Sequence, residues 1–242
     1  MAQETRNPQP PPANPERIAL VIAAHPDDGD FGCAGYTAQL AAKGWDVHFL
    51  VCTNGAKGTD DRAMTRERLI ALRQEEQREA CRRMGARDVT FLGNEDSELV
   101  YDRPFLGQLV REIRRIRPHT VLTHDPSDII IADSFINHPD HRAAGAAALD
   151  AIYPTARDHL NFPEHLAHGL EPHKVREVLL WNSNQPNFDV DITPNLETKI
   201  HALSAHVTQF GGHADFVEFA RESWKSADGR YLEQFRRLIL QF

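Results

Sequence analysis

The chain of 242 residues is 41% hydrophobic and carries a formal net charge of −8, enough for one well-buried α/β domain without requiring two. Its acidic balance argues against nucleic acid or an anionic membrane surface as the main partner. No apolar run is long enough to span a bilayer, the N-terminus is too polar for a signal peptide, and Cys33, Cys52 and Cys81 are too scattered for a disulfide framework, which predicts a cytoplasmic protein.

Residues 1–16 hold Pro8, Pro10, Pro11, Pro12 and Pro15 and predict an extended or disordered arm, ahead of a single domain over 17–242. Residues 19–22 are continuously aliphatic, as in a buried parallel strand, and run through Ala23 and Ala24 into His25-Pro26-Asp27-Asp28. Gly29, Gly32 and Gly35 follow, and 33–43 has helical spacing that stops at Gly44. A second strand over 45–52 opens into a glycine-bearing loop at 53–58. A charged helix over 65–84 ends at Gly85, and a short strand spans 89–92. Residues 105–117 read as a helix closed by Pro118, and 120–123 as a fourth strand.

The stretch 124–137 is loop-like, after which His138-Pro139-Asp140 opens an alanine-rich helix to 152; Pro139 and Asp140 both suit a first turn. Residues 154–172, rich in His, Pro and Asn, read as a long loop or lid that would help select the substrate. Strands over 175–181 and 189–192, a helix over 194–207 and a mostly helical end over 216–242 complete the chain. This alternation predicts a Rossmann-like three-layer α/β sandwich with a mostly parallel sheet. A dinucleotide site does not fit. The glycines lack the G-x-G-x-x-G spacing, and two carboxylates stand where a pyrophosphate would approach.

Ligand types point instead to a cation. A catalytic zinc takes three nitrogen or oxygen ligands and leaves one position for water, and His25, Asp28 and His141 fit that recipe. Asp27 is then left to take a proton from water, His138 to protonate the leaving nitrogen or stabilise an oxyanion, and Asp140 to orient a histidine. The plainer alternative is that Asp27 and Asp28 only cap the helix after them. Against it, two carboxylates and a histidine ending a buried strand are costly to place without a cation. Zinc, iron(II) and cobalt(II) all accept such a set.

Ala24-His25-Pro26-Asp27-Asp28 after an apolar strand, with His138-Pro139-Asp140-His141 downstream, resembles the LmbE/PIG-L family of zinc-dependent de-N-acetylases. The similarity runs from about 17 to 209 and takes in Gly32-Cys33-Ala34-Gly35, the loop 53–59, Arg73-x-x-Glu76 and Lys199 to Gln209. The resemblance implies an LmbE-like fold and removal of an acetyl group from an N-acetylglucosamine-type sugar or conjugate. It implies His25, Asp28 and His141 as zinc ligands, Asp27 as general base, His138 as acid or oxyanion stabiliser with Asp140 as its support, and Arg73 and Asp96 facing the sugar. It also implies a homo-oligomer such as a trimer or hexamer. Many members carry Glu directly after the paired aspartates; here Gly29 intervenes and Asp30 is the next acid. The rival readings are a thiol-conjugate amidase, a phosphoester hydrolase, or a sugar-binding or metal-storing protein without activity. Asp27 and His138 argue against the last, since a pure binder needs neither.

Overall fold

Residue 18 begins the strand from which the site is built. This strand, β1 (Ile18–Ala23), is buried at all six positions, which is why its sequence shows no alternation. The computed structural model describes residues 17–211 and 215–241; the proline-rich arm expected over 1–16 lies outside them. Helix α1 (Asp28–Ala42) follows, then β2 (Asp46–Thr53), α2 (Arg66–Met84), β3 (Asp88–Asn94), α3 (Arg103–Ile116) and β4 (Thr120–His124). A two-residue hairpin, β5 (Ile130–Ile131) and β6 (Phe135–Ile136), occupies the expected loop before α4 (Pro139–Ile152). The remaining elements are β7 (Glu177–Trp181), β8 (Phe188–Asp191), α5 (Leu196–Leu203), α6 (Val207–Phe210), α7 (Phe216–Ser223) and β9 (Leu232–Ile239).

Helix ends follow local chemistry. Thr65 accepts the Arg68 N–H at the start of α2, and Gly85 closes it in the left-handed region at φ 78°. Asp102 caps α3 in the same way through the Phe105 N–H.

The seven-stranded sheet has the order β3-β2-β1-β4-β7-β9-β8, parallel from β3 to β7 and antiparallel around β9. One apolar core lies between the sheet and α3 with α4, the other between the sheet and α1, α2 and α5. This is the expected three-layer α/β sandwich. Strand order reverses between β1 and β4, so their carboxyl ends frame the crevice where open sheets take ligands.

Three expectations change. The helix over 194–207 is broken into a short 3-10 turn, α5 and α6. The end of the chain is not mostly helical, because β9 inserts between β7 and β8. Its Leu, Glu, Gln and Arg residues favour a helix locally, but tertiary pairing decides. Finally, 154–172 is packed along α3 instead of hanging as a lid. The buried Arg114 guanidinium donates to the carbonyls of Thr155, Ala156, Asp158, Asn161 and Phe162 and so shapes the segment.

Helix α1 kinks at Cys33 (φ −153°, ψ 20°), and the Glu233 carboxylate of β9 accepts the Gly35 and Tyr36 N–H groups just past the kink. Lys199 of α5 neutralises Glu233 at 2.6 Å, and both side chains are almost fully buried. Removing one partner leaves the other charge stranded. Lys199→Met therefore destabilises the fold by roughly 3–5 kcal/mol in a denaturant titration; a change within 1 kcal/mol would contradict the role given to this pair.

Candidate metal centre

After β1 the backbone turns sharply at His25-Pro26, and Asp27 takes φ 90°, ψ −33°, a strained conformation for a residue with a Cβ. Neighbours hold it there. Arg73 Nη2 donates to Pro26 O (2.9 Å) and to Asp27 Oδ2 (3.1 Å), while Gln77 Oε1 accepts the Asp27 N–H (2.8 Å). The turn frees Asp28 to fold back, and its Oδ2 accepts the His25 N–H at 2.7 Å. The second set of groups comes from the start of α4, where His138 Nδ1 accepts the Asp140 N–H and Pro139 begins the first turn.

The two sets meet. Asp28 lies between the histidines, with Oδ2 3.2 Å from His25 Nδ1 and Oδ1 3.2 Å from His141 Nε2. The His25 and His141 ring centres are 5.3 Å apart, and His138 packs edge-on to His25 at 4.8 Å. Three overlapping sets each bring their ligand atoms within 4.8 Å: His25, His138 and His141; Asp28, His124 and His141; His25, Asp96 and Asp140. Asp140 Oδ2 is 3.2 Å from His25 Nε2, and its carboxylate also accepts the Ser97 and Leu99 N–H groups, so it fixes the ring from behind.

The charge balance of this cluster suits a cation. Burial disfavours a charged His25, yet Asp28, Asp140 and Asp96 outweigh it and push its pKa up to about 12. Burial likewise opposes ionised Asp28, but His141 and His25 hold it well below the usual carboxylate range. Without an ion, a proton on His25 balances three surrounding carboxylates; a divalent cation meets the same need with more charge. Asp27 stands apart. Burial raises its pKa to about 6, against the pull of Arg73, and among the described residues its Oδ1 makes no hydrogen bond. His138 is shifted down, first by burial and then by His25 and His141, so its ring is neutral near pH 7 with the proton on Nε2.

Arg73 and Asp96, expected at the sugar, are each only 4% exposed, and both hydrogen-bond to neighbouring groups of the chain. Arg73 serves Asp27 and the Gly55 carbonyl. Gly55 has φ 64°, and a Cβ there would lie 2.9 Å from Arg73 Nη1, so the loop needs glycine for this approach. Asp96 accepts the Lys57 N–H and sits 3.2 Å from His25 Nε2. His124, at the end of β4, joins the cluster without having been among the residues expected there. Trp181 Nε1 donates to its Nδ1 at 3.1 Å, and its Nε2 lies 3.1 Å from the Ala24 N–H and 3.4 Å from Asp28 Oδ2. Its ring stacks on His141 at 4.2 Å, and burial lowers its pKa to about 4. The signal was present: His124 ends the apolar strand 120–123 just as His25 ends the first.

The sequence pattern of the PIG-L family, GlcNAc-PI de-N-acetylase, matches residues 20–152 and so contains β1 from Leu20 onward, α4 and every group just described around Asp28 except Trp181. The chain belongs to the PIG-L family. A diacetylchitobiose deacetylase of Thermococcus kodakarensis is 33% identical over 199 residues, covering 82% of this PIG-L chain and 72% of the relative. A probable N-acetyl-alpha-D-glucosaminyl L-malate deacetylase 2 of Bacillus subtilis is 31% identical over 198 residues, covering 80% and 83%. The structure of an N,N'-diacetylchitobiose deacetylase from Pyrococcus horikoshii, complexed with its inhibitor, superposes with a TM-score of 0.84 at 29% identity, covering 92% of this chain and 84% of that one.

Proposed function

We propose that the chain is a metal-dependent hydrolase that removes the acetyl group from an N-acetylglucosamine-type sugar or sugar conjugate, with zinc as its ion and the cytoplasm as its compartment. The observation that carries this reading is the division of labour at the first turn. Asp28 points into the cluster of imidazoles, while Asp27, next in the chain, is held away from it by Arg73 with one oxygen unengaged.

His25, Asp28 and His141 would hold the ion, which supplies a Lewis acid for the acetamide carbonyl and lowers the pKa of water. Asp27 takes the proton of the water whose oxygen adds to the carbonyl carbon. His138 Nε2–H donates to the oxygen that gains charge as the carbon becomes tetrahedral. The carbon–nitrogen bond then breaks, the proton held by Asp27 passes to the departing nitrogen, and acetate and a free amine result. Asp140 keeps His25 oriented, and His124 does the same for Asp28. Arg73 and Asp96 act as supports of Asp27 and His25. Assembly into trimers or hexamers belongs to the same reading, and the hairpin exposes Ile129, Ile130, Phe135 and Ile136 at the rim for such a contact.

The test is acetate release from N-acetylglucosamine and N,N'-diacetylchitobiose, beside acylated thiol conjugates and phosphoesters. One acetate per free amine is expected, lost on chelation and regained with Zn2+, with Fe2+ and Co2+ compared in parallel. Release of phosphate, or of a thiol-conjugate amine without turnover of either sugar, would transfer the site to a rival reaction.

A further inference from the structure

We propose that Gln77, backed by the buried pair Asp30 and His206, is a positioning residue that holds Asp27 in its working conformation. This rests on the reading of Asp27 as the base. Both polar atoms of the Pro26–Asp27 peptide are gripped from α2: Arg73 donates to the Pro26 carbonyl at 2.9 Å, and Gln77 accepts the Asp27 N–H at 2.8 Å. Arg73 and Gln77 are four residues apart, on one face of the helix. With its plane fixed at both edges, the peptide cannot rotate to relieve the strained φ of 90° at Asp27. The direction of the carboxylate follows from that φ.

The Gln77 amide could flip and lose its grip, but Asp30 prevents this. Gln77 Nε2 donates to Asp30 Oδ2 at 2.7 Å, and the same oxygen is 3.3 Å from His206 Nε2. A flipped amide would oppose its oxygen to the carboxylate and its NH2 group to the Asp27 N–H, two repulsive contacts in a place without bulk water. Gln77 is 1% exposed, and Asp30 and His206 are fully buried. None of the three provides an atom to the ligand sets, so the metal cluster does not explain them. Asp30, the acid displaced one position by Gly29, therefore acts through an amide and not on the ion.

Gln77→Met keeps the length and removes both hydrogen bonds. In the metal-free protein, hydrogen exchange of the Asp27 amide should be at least tenfold faster in this variant. In the loaded enzyme kcat should fall at least tenfold, with KM and bound metal within twofold of wild type. In an Asp27→Asn background the same substitution should change kcat less than twofold, because the group it positions is already disabled. Losses that multiply in full, or unchanged amide exchange, would overturn the proposal. Should Gln77→Met fail to fold, His206 gives an independent comparison. His206→Leu should mimic the loss, and His206→Gln, which restores a donor to Asp30, should recover at least a third of wild-type kcat; equal impairment in both would reject the relay. If Asp27→Asn alone retains full turnover, the assignment of the base fails, whereas amide exchange still reports on the clamp.

Discussion

Asp27→Asn should reduce kcat roughly 10²- to 10⁴-fold, the range a positioned general base contributes, while KM and metal content stay close to wild type. Asparagine has the same size and its Oδ1 can still accept from Arg73, so the turn at residue 27 is not released. The wild-type pH profile provides a second check. The base must be ionised, so activity falls as pH drops through its pKa. Burial sets that value at about 6, and a bound cation draws it lower, which places the midpoint of the acid limb at or below about pH 6. The residual activity of the variant should lack that limb. A variant that keeps more than a third of wild-type kcat would remove Asp27 from the role.

Gly145→Ala should weaken metal binding at least tenfold, although residue 145 supplies no ligand atom. A Cβ on Gly145 would lie 2.5 Å from the His124 carbonyl oxygen and 3.2 Å from Pro126 Cδ. That oxygen belongs to β4, which is buried and paired on both sides, so α4 has to move. His141 lies one turn earlier on the same helix, and its Nε2 would shift away from Asp28. Overpacking of this kind costs roughly 1–3 kcal/mol of stability, so a lower melting temperature should accompany the loss. Chelator competition on the folded variant measures the effect, and an affinity equal to wild type would show that α4 need not move.

His25, Asp27 and Asp28 were legible because an apolar strand ending in charged groups is costly, and the pattern of β1 is unambiguous. His138 and His141 were legible because proline and aspartate mark the start of α4. Gln77 and His206 were not, since a glutamine on a charged helix and a histidine between two short helices carry no local sign of burial. Only the packing of α1, α2 and α5 brings them behind Asp27. Arg73 drew attention through its charge, but its contacts with the Asp27 turn carry no sign in the sequence and depend on how α2 packs. Strand β9 was missed because one of its two most buried residues is Glu233, which breaks the apolar alternation that marks a strand. Its meaning becomes visible only once Lys199 is beside it.

The Glu233 cap on α1 has a bearing on how the protein matures. Every proposed ligand lies within the first 141 residues, yet the helix that begins at Asp28 is secured by a side chain 205 positions later than that aspartate. During translation the ribosome therefore releases the imidazoles and carboxylates long before their platform is locked. A nascent chain halted before residue 233 should expose these groups without a settled geometry, and capture of the ion becomes a late event that follows closure of the sheet.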